Sequence, residues 1–177
     1  MKRKGSILGI ILFTCVMLTG CTNYIKEGTE LLEANDYAQA ENLFLEAVEK
    51  GRKLDQAYQG LGICYWETNQ YEKSVDAFEN SLKEGGEESA VIYNLMGLAS
   101  LMDQKPEDAI LYLQQGLQLE EAAEELKMEM SYNLISAYEE AGKFVEAKES
   151  LKEYIEKYPD DERAVKELEF LTTQINE

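Results

Sequence analysis

Catalysis by side chains needs nucleophiles, proton carriers or metal ligands, and this chain offers few. It has no histidine, three cysteines (Cys15, Cys21 and Cys64), and 35 acidic residues against 17 basic ones. Without histidine, the usual nucleophile–base pairs and zinc sites lack a part, and neither a G-x-S-x-G elbow nor a glycine-rich phosphate loop is present. The cysteines form no C-x-x-C pair for redox or metal chemistry. Carboxylate pairs alone could hydrolyse glycosides, but with so many acids some proximity arises by chance. The acidic stretches 84–88 and 160–162 lack the ligand spacing of a calcium loop and read as solvated turns. The chain is therefore expected not to be an enzyme and to need no cofactor or metal, with a carboxylate-dependent hydrolase as the remote alternative.

The cysteines gain meaning from what surrounds them. Lys2, Arg3 and Lys4 make a basic start, and the apolar run 7–18 follows. As a helix, that run reaches roughly 18 Å, where a bilayer core needs about 30 Å. A basic start, a short apolar run and then small residues form the pattern of a cleaved export signal.

Leu18-Thr19-Gly20-Cys21 stands directly behind the run and resembles the lipobox of bacterial lipoproteins. The resemblance implies cleavage after residue 20 and a diacylglyceryl group on Cys21. Acyl chains gain about 0.8 kcal/mol per buried CH₂, so two give lasting attachment. Ordinary cleavage leaving a free Cys21 is the alternative. Cys15 departs with the signal and Cys64 remains, so no intramolecular disulfide is available. Cys64 lies in the apolar stretch 61–66, where a buried, inert thiol is expected.

The elements that must carry any site are helical. Glu, Leu, Ala and Lys outnumber Val, Ile and Thr, and straight-chain residues lose little rotamer freedom in a helix. Removing residues 1–20 takes three bases and no acid, leaving a formal charge of −21. Such a surface repels phosphate backbones and anionic headgroups, so no nucleic acid is expected as a partner. It reads mainly as a solvated face, secondarily as one for a basic partner.

One spacing of large and small residues recurs through the chain. Tyr24, Gly28, Leu31, Tyr37, Ala40, Phe44 and Ala47 form a first set. A shift of 34 gives Tyr58, Gly62, Tyr65, Tyr71, Ser74, Phe78 and Ser81, and a further 35 gives Tyr93, Gly97, Ser100, Pro106, Ala109, Leu113 and Gly116. An offset of 38 leads to Ser131, Ile135, Tyr138, Phe144, Ala147, Leu151 and Tyr154, with Pro159 beyond. Each half-set falls on one helical face. At equivalent positions between the halves stand Asn35, Asn69, Gln104 and Gly142, suited to closing a helix, and Pro106 suits a first turn. Each unit is thus helix, tight turn, helix.

The pattern resembles the tetratricopeptide repeat. The resemblance implies an all-α, right-handed superhelical solenoid: signal 1–20, units at 21–54, 55–89, 90–127 and 128–160, and a capping helix at 161–177 with Ala164, Val165, Leu168 and Leu171 on its inner face. Leu113 stands in place of an aromatic, and Ile135 in place of a small residue. The offset of 38 implies a longer opening helix through residues 120–125.

In this family the first helix of each unit lines the inner groove. Carried over, those positions give Gln56, Gln59, Ile63, Trp66 and Glu67, then Val91, Asn94, Leu98, Leu101 and Met102, then Glu129, Tyr132, Ser136, Glu139 and Glu140. The groove core is expected at Gln59, Ile63, Trp66, Glu67, Asn94, Leu98, Leu101, Met102, Tyr132 and Glu139, apolar at the centre and acidic at its flanks. Packing against neighbouring helices is the alternative for any one of them. A carboxylate clamp is not expected, because Asn94 has no Lys or Arg beside it. The implied role is a lipid-anchored scaffold, in the cell membrane or outer membrane outside the cytoplasm, binding a protein or peptide with basic and apolar anchors. A fixed component of an envelope or pilus-type assembly is the alternative. If Cys21 carries the lipid, Cys21→Ser moves the chain from the membrane pellet to the soluble fraction; unchanged sedimentation after a carbonate wash would reject this.

Overall fold

The computed structural model describes residues 23–120 and 122–175, so the signal and Cys21 lie outside it. The described residues form only helices: α1 (Tyr24–Glu33), α2 (Tyr37–Glu49), α3 (Leu54–Glu67), α4 (Tyr71–Lys83), α5 (Ala90–Met102), α6 (Pro106–Leu117), α7 (Glu124–Glu140), α8 (Phe144–Lys157) and α9 (Glu162–Ile175). Each packs on the next, and α1 also touches α3, as α5 touches α7. None of these helices is long and apolar enough to cross a membrane.

Four identical turns make the pairs. Asn35, Asn69, Gln104 and Gly142 all have φ between 58° and 70°. The following amide reaches back to the helix each time: Asp36 N–H to Leu31 C=O (2.9 Å), and Gln70 to Tyr65, Lys105 to Ser100 and Lys143 to Tyr138 (2.8 Å each). This is the Schellman closure, which satisfies carbonyls a helix end leaves open. In the first two pairs the tyrosine opening the second helix donates to the turn asparagine, Tyr37 Oη to Asn35 (2.7 Å) and Tyr71 Oη to Asn69 (2.6 Å).

Packing inside each pair sets a large side chain of the second helix against a small residue of the first. Phe44 is 1% exposed. A Cβ added to Gly28 would stand 2.8 Å from its ring, and one added to Gly60 on α3 would also collide with it. The ring therefore fills slots on helices of two successive pairs. Phe78 sits likewise over Gly62, and Leu113 over Gly97. In the fourth pair the first-helix residue is Ile135, buried with Leu151 in one cluster. There the larger residue is matched by an aliphatic partner in place of an aromatic ring. Ser74 stands where the other pairs place alanine and Ser81 where the first has Ala47, and both hydroxyls donate to α3 carbonyls: Ser74 Oγ to Gly62 (2.9 Å) and Ser81 Oγ to Asp55 (2.7 Å).

Two expectations need correction. The extra residues before the fourth pair do not all join its first helix. α7 has 17 residues but starts at Glu124. α6 ends at Leu117, and its cap Gln118 lies in the right-handed region, with no left-handed residue among the described ones to close the helix. On α9, Ala164 and Leu171 are buried, but Val165 is 40% exposed and Phe170 56%. A straight helix over one pair covers a narrower stripe than the apolar pattern suggests.

The slot over Gly62 gives a direct test. A Cβ there would lie 2.6 Å from the Phe78 ring, which is fully buried and has nowhere to swing. Overpacking costs about 1–3 kcal/mol and the helix-propensity gain returns about 1. Gly62→Ala is expected to lower the thermal midpoint by several degrees in circular dichroism, with helical content retained.

Candidate functional site

The first helices of the first two pairs bring together a cavity at the N-terminal end of the described residues. Ile25, Thr29 and Leu32 of α1 face Gln56, Gln59 and Ile63 of α3 across a cavity of about 470 Å³. Phe44 and Gly60 lie at its base, and Asp55, Gly86 and Glu87 at its rim. The Thr29 hydroxyl is used by the Ile25 carbonyl (2.8 Å), and Gln56 accepts from Lys53 (3.4 Å). Gln59 is exposed, and its amide is free to donate and accept. The site is a greasy floor with one unspent amide and two carboxylates. It can hold an extended segment through an apolar side chain, a backbone hydrogen bond and a basic neighbour.

The residues expected to line the groove divide. Gln59 and Ile63 line this cavity. Trp66, half-buried at the end of α3, is not part of its lining; its ring meets Tyr71 edge-on at 5.6 Å. Glu67 and Met102 are exposed, Met102 at 57%, and Leu98 is half-buried. Leu101 packs against the core of α5, α6 and α7. Asn94 is a correction: it is 6% exposed and committed to a ladder, donating to Glu129 Oε1 (2.9 Å) and accepting from Asn133 Nδ2 (3.2 Å). Two polar side chains from α7 reach it there, so it cannot serve an incoming ligand.

Tyr132 and Glu139 are half-buried, because α9 packs on α8 and brings Arg163 and Glu167 beside them. Tyr132 stands edge-on to Tyr154 at 5.5 Å with the Arg163 guanidinium 5.2 Å over its ring. Glu139 Oε1 is buried with no donor, and the Glu167 carboxyl of α9 faces it. Burial, and then the neighbouring Glu167, push the Glu139 carboxyl up to about 7. The cysteine is equally withdrawn: burial, with Glu41 nearby, pushes the Cys64 thiol up to about 12.

The cavity residues Ile25, Thr29 and Leu32 were legible without being used. They are Gln59, Ile63 and Trp66 moved back by the first spacing of 34. Nothing in the sequence signalled Gly86 and Glu87, whose place depends on how the turn after α4 folds over α3.

Comparison with known proteins agrees with this architecture. Family models described as tetratricopeptide repeat match residues 25–90 and 129–161. The chain carries tetratricopeptide repeats. Among solved structures it resembles YrrB, a TPR protein with an unusual peptide-binding site, at 22% identity and a TM-score of 0.74, over 86% of this chain and 76% of that one. It is also similar to MamA AMB-1, at 21% identity and a TM-score of 0.70, over 86% of this chain and 81% of that one. A TPR repeats protein from Bacteroides fragilis NCTC 9343 matches at 18% identity and a TM-score of 0.53, over 75% of this chain and 60% of that one. These likenesses show the fold. No curated protein matches.

The Glu139 carboxyl yields a pH prediction. Its folded-state value lies above the ordinary 4.5, so the folded chain holds this proton more tightly than the unfolded one. The contribution is complete below pH 4.5 and is lost as pH rises to about 7. Discounted for solvent screening, the effect is about 1 kcal/mol, or roughly 3 °C. Glu139→Gln is expected to melt higher than the parent at pH 8 and level with it near pH 4.5; parallel melting curves at both would overturn the assignment.

Proposed function

We propose that the chain is a lipid-anchored interaction scaffold outside the cytoplasm, binding an extended protein segment in the cavity between α1 and α3. The observation that carries the binding site is the cavity itself: three apolar side chains, the unspent Gln59 amide and the Asp55 and Glu87 carboxylates converge on one concave space. A segment with one apolar anchor and a nearby Lys or Arg complements it. YrrB, of the same fold, supports a peptide ligand in general terms.

The anchor rests on the lipobox-like Leu18-Thr19-Gly20-Cys21. α1 begins at Tyr24, with Asn23 as its cap accepting from the Lys26 amide (3.2 Å). Only Thr22 and Asn23 then separate the lipid-bearing residue from the first helix, so the α1–α3 cavity lies at the membrane-proximal end of the solenoid and meets partners there.

The test uses in-cell crosslinking. Thr29 and Gln59 are exposed and belong to no core cluster, so Thr29→Arg with Gln59→Arg fills the cavity with like charge for a basic ligand while leaving the fold intact. A discrete partner captured by the parent and reduced at least tenfold in the double variant, at equal helicity and membrane attachment, is the expected result. Equal capture by both would place the binding surface elsewhere.

A further inference from the structure

A second recess opens between α4 and α6 at the C-terminal end of α5. Its origin lies in the repeat register. Ser100 occupies the position held by Leu31, Tyr65 and Tyr138 in the other units, and those three pack against core clusters. With serine there, no side chain fills the space, and a cavity of about 130 Å³ remains. Cavities of about this size accommodate a benzene ring.

Ser100 is 1% exposed, lines the recess, and its hydroxyl has no hydrogen-bond partner among the described residues. Glu72, Asp76, Glu79, Asp103 and Asp108 surround it. Lys105 answers Glu72 (3.2 Å) and Asp103 (2.7 Å). Glu79 accepts from Tyr112 (2.8 Å) and Lys83 (3.1 Å). Asp76 and Asp108 have no counter-ion among the described residues. No acidic cluster among those residues converges tightly enough to hold a metal ion.

We propose that this recess receives an arginine side chain of a protein partner. A guanidinium is planar, close in size to the missing ring, and weakly hydrated enough to enter a narrow space. Its donors spread in a fork, so one edge reaches the Ser100 hydroxyl while others engage Asp76 and Asp108. A lysine ammonium brings charge without the flat body and leaves part of the space empty. Free arginine brings an α-carboxylate that the acidic rim repels, so the ligand is a residue within a chain. The recess is separate from the α1–α3 cavity, and each stands without the other.

The experiment titrates the isotope-labelled full-length chain in detergent with acetyl-Gly-Arg-Gly-amide, following amide resonances by NMR. Saturable shifts around residues 100–112 are expected, with the citrulline peptide and free arginine at least tenfold weaker and the lysine peptide at least threefold weaker. Ser100→Tyr restores the ring of the other units and should abolish binding while melting at or above the parent temperature. Asp76→Asn with Asp108→Asn touches only exposed side chains and should weaken binding at least tenfold even if the tyrosine variant misfolds. The proposal is overturned by any of these outcomes: no saturable shift, equal affinity for the lysine peptide, citrulline peptide or free arginine, or parent-like binding by a folded variant.

Discussion

The fold depends on one steric arrangement: in the first three pairs, a large side chain of the second helix lies in a slot that only glycine leaves open. Phe44 is the fullest case, held by Gly28 of its own pair and Gly60 of the next. A single aromatic side chain thus closes a pair and joins it to its neighbour. That is how an array whose units cannot bury their apolar faces alone acquires a continuous core. The Schellman turns set the angle at which the ring arrives, and in the second pair the serines of α4 fasten it to α3 through carbonyls that the close approach brings within reach.

Much of this was legible in the residues. Glycine and aromatic positions recurring at 34 and 35 residues fix both the helices and their contacts, because each large residue requires a small one opposite. The turn positions were legible for the same reason, and even Gln104, a poor left-handed residue, takes φ 60° because its three equivalents define the turn. The groove was less legible. Register says which face of a helix is inward, but not whether a neighbour covers it. α9 brings Arg163 and Glu167 beside Tyr132 and Glu139, and α7 occupies Asn94. The cavity at α1 and α3 lies nearest the described N-terminal end, where no preceding helix pair is seen.

Variation among the units carries the functional detail. Where the pattern is obeyed, side chains are spent on the core. Where it is broken, space or polarity is left over: a serine in place of a large side chain leaves an acidic recess. A repeat protein can alter one unit's surface in this way without disturbing the slots that hold the array together.

The Asn94 ladder bears on the joint after α6, which no left-handed residue among the described ones closes. After α6 the connection specifies neither an angle nor a length of overlap between α5 and α7. Asn94, Glu129 and Asn133 supply that information, since their donors and acceptors meet in a single alignment of the two helices. Sliding α7 by one turn would leave the buried Asn94 amide unmatched, a penalty of about 1–3 kcal/mol. Apolar contacts alone would tolerate such a slip. The polar ladder therefore acts as an index mark, choosing one register for the last pair where the backbone leaves several.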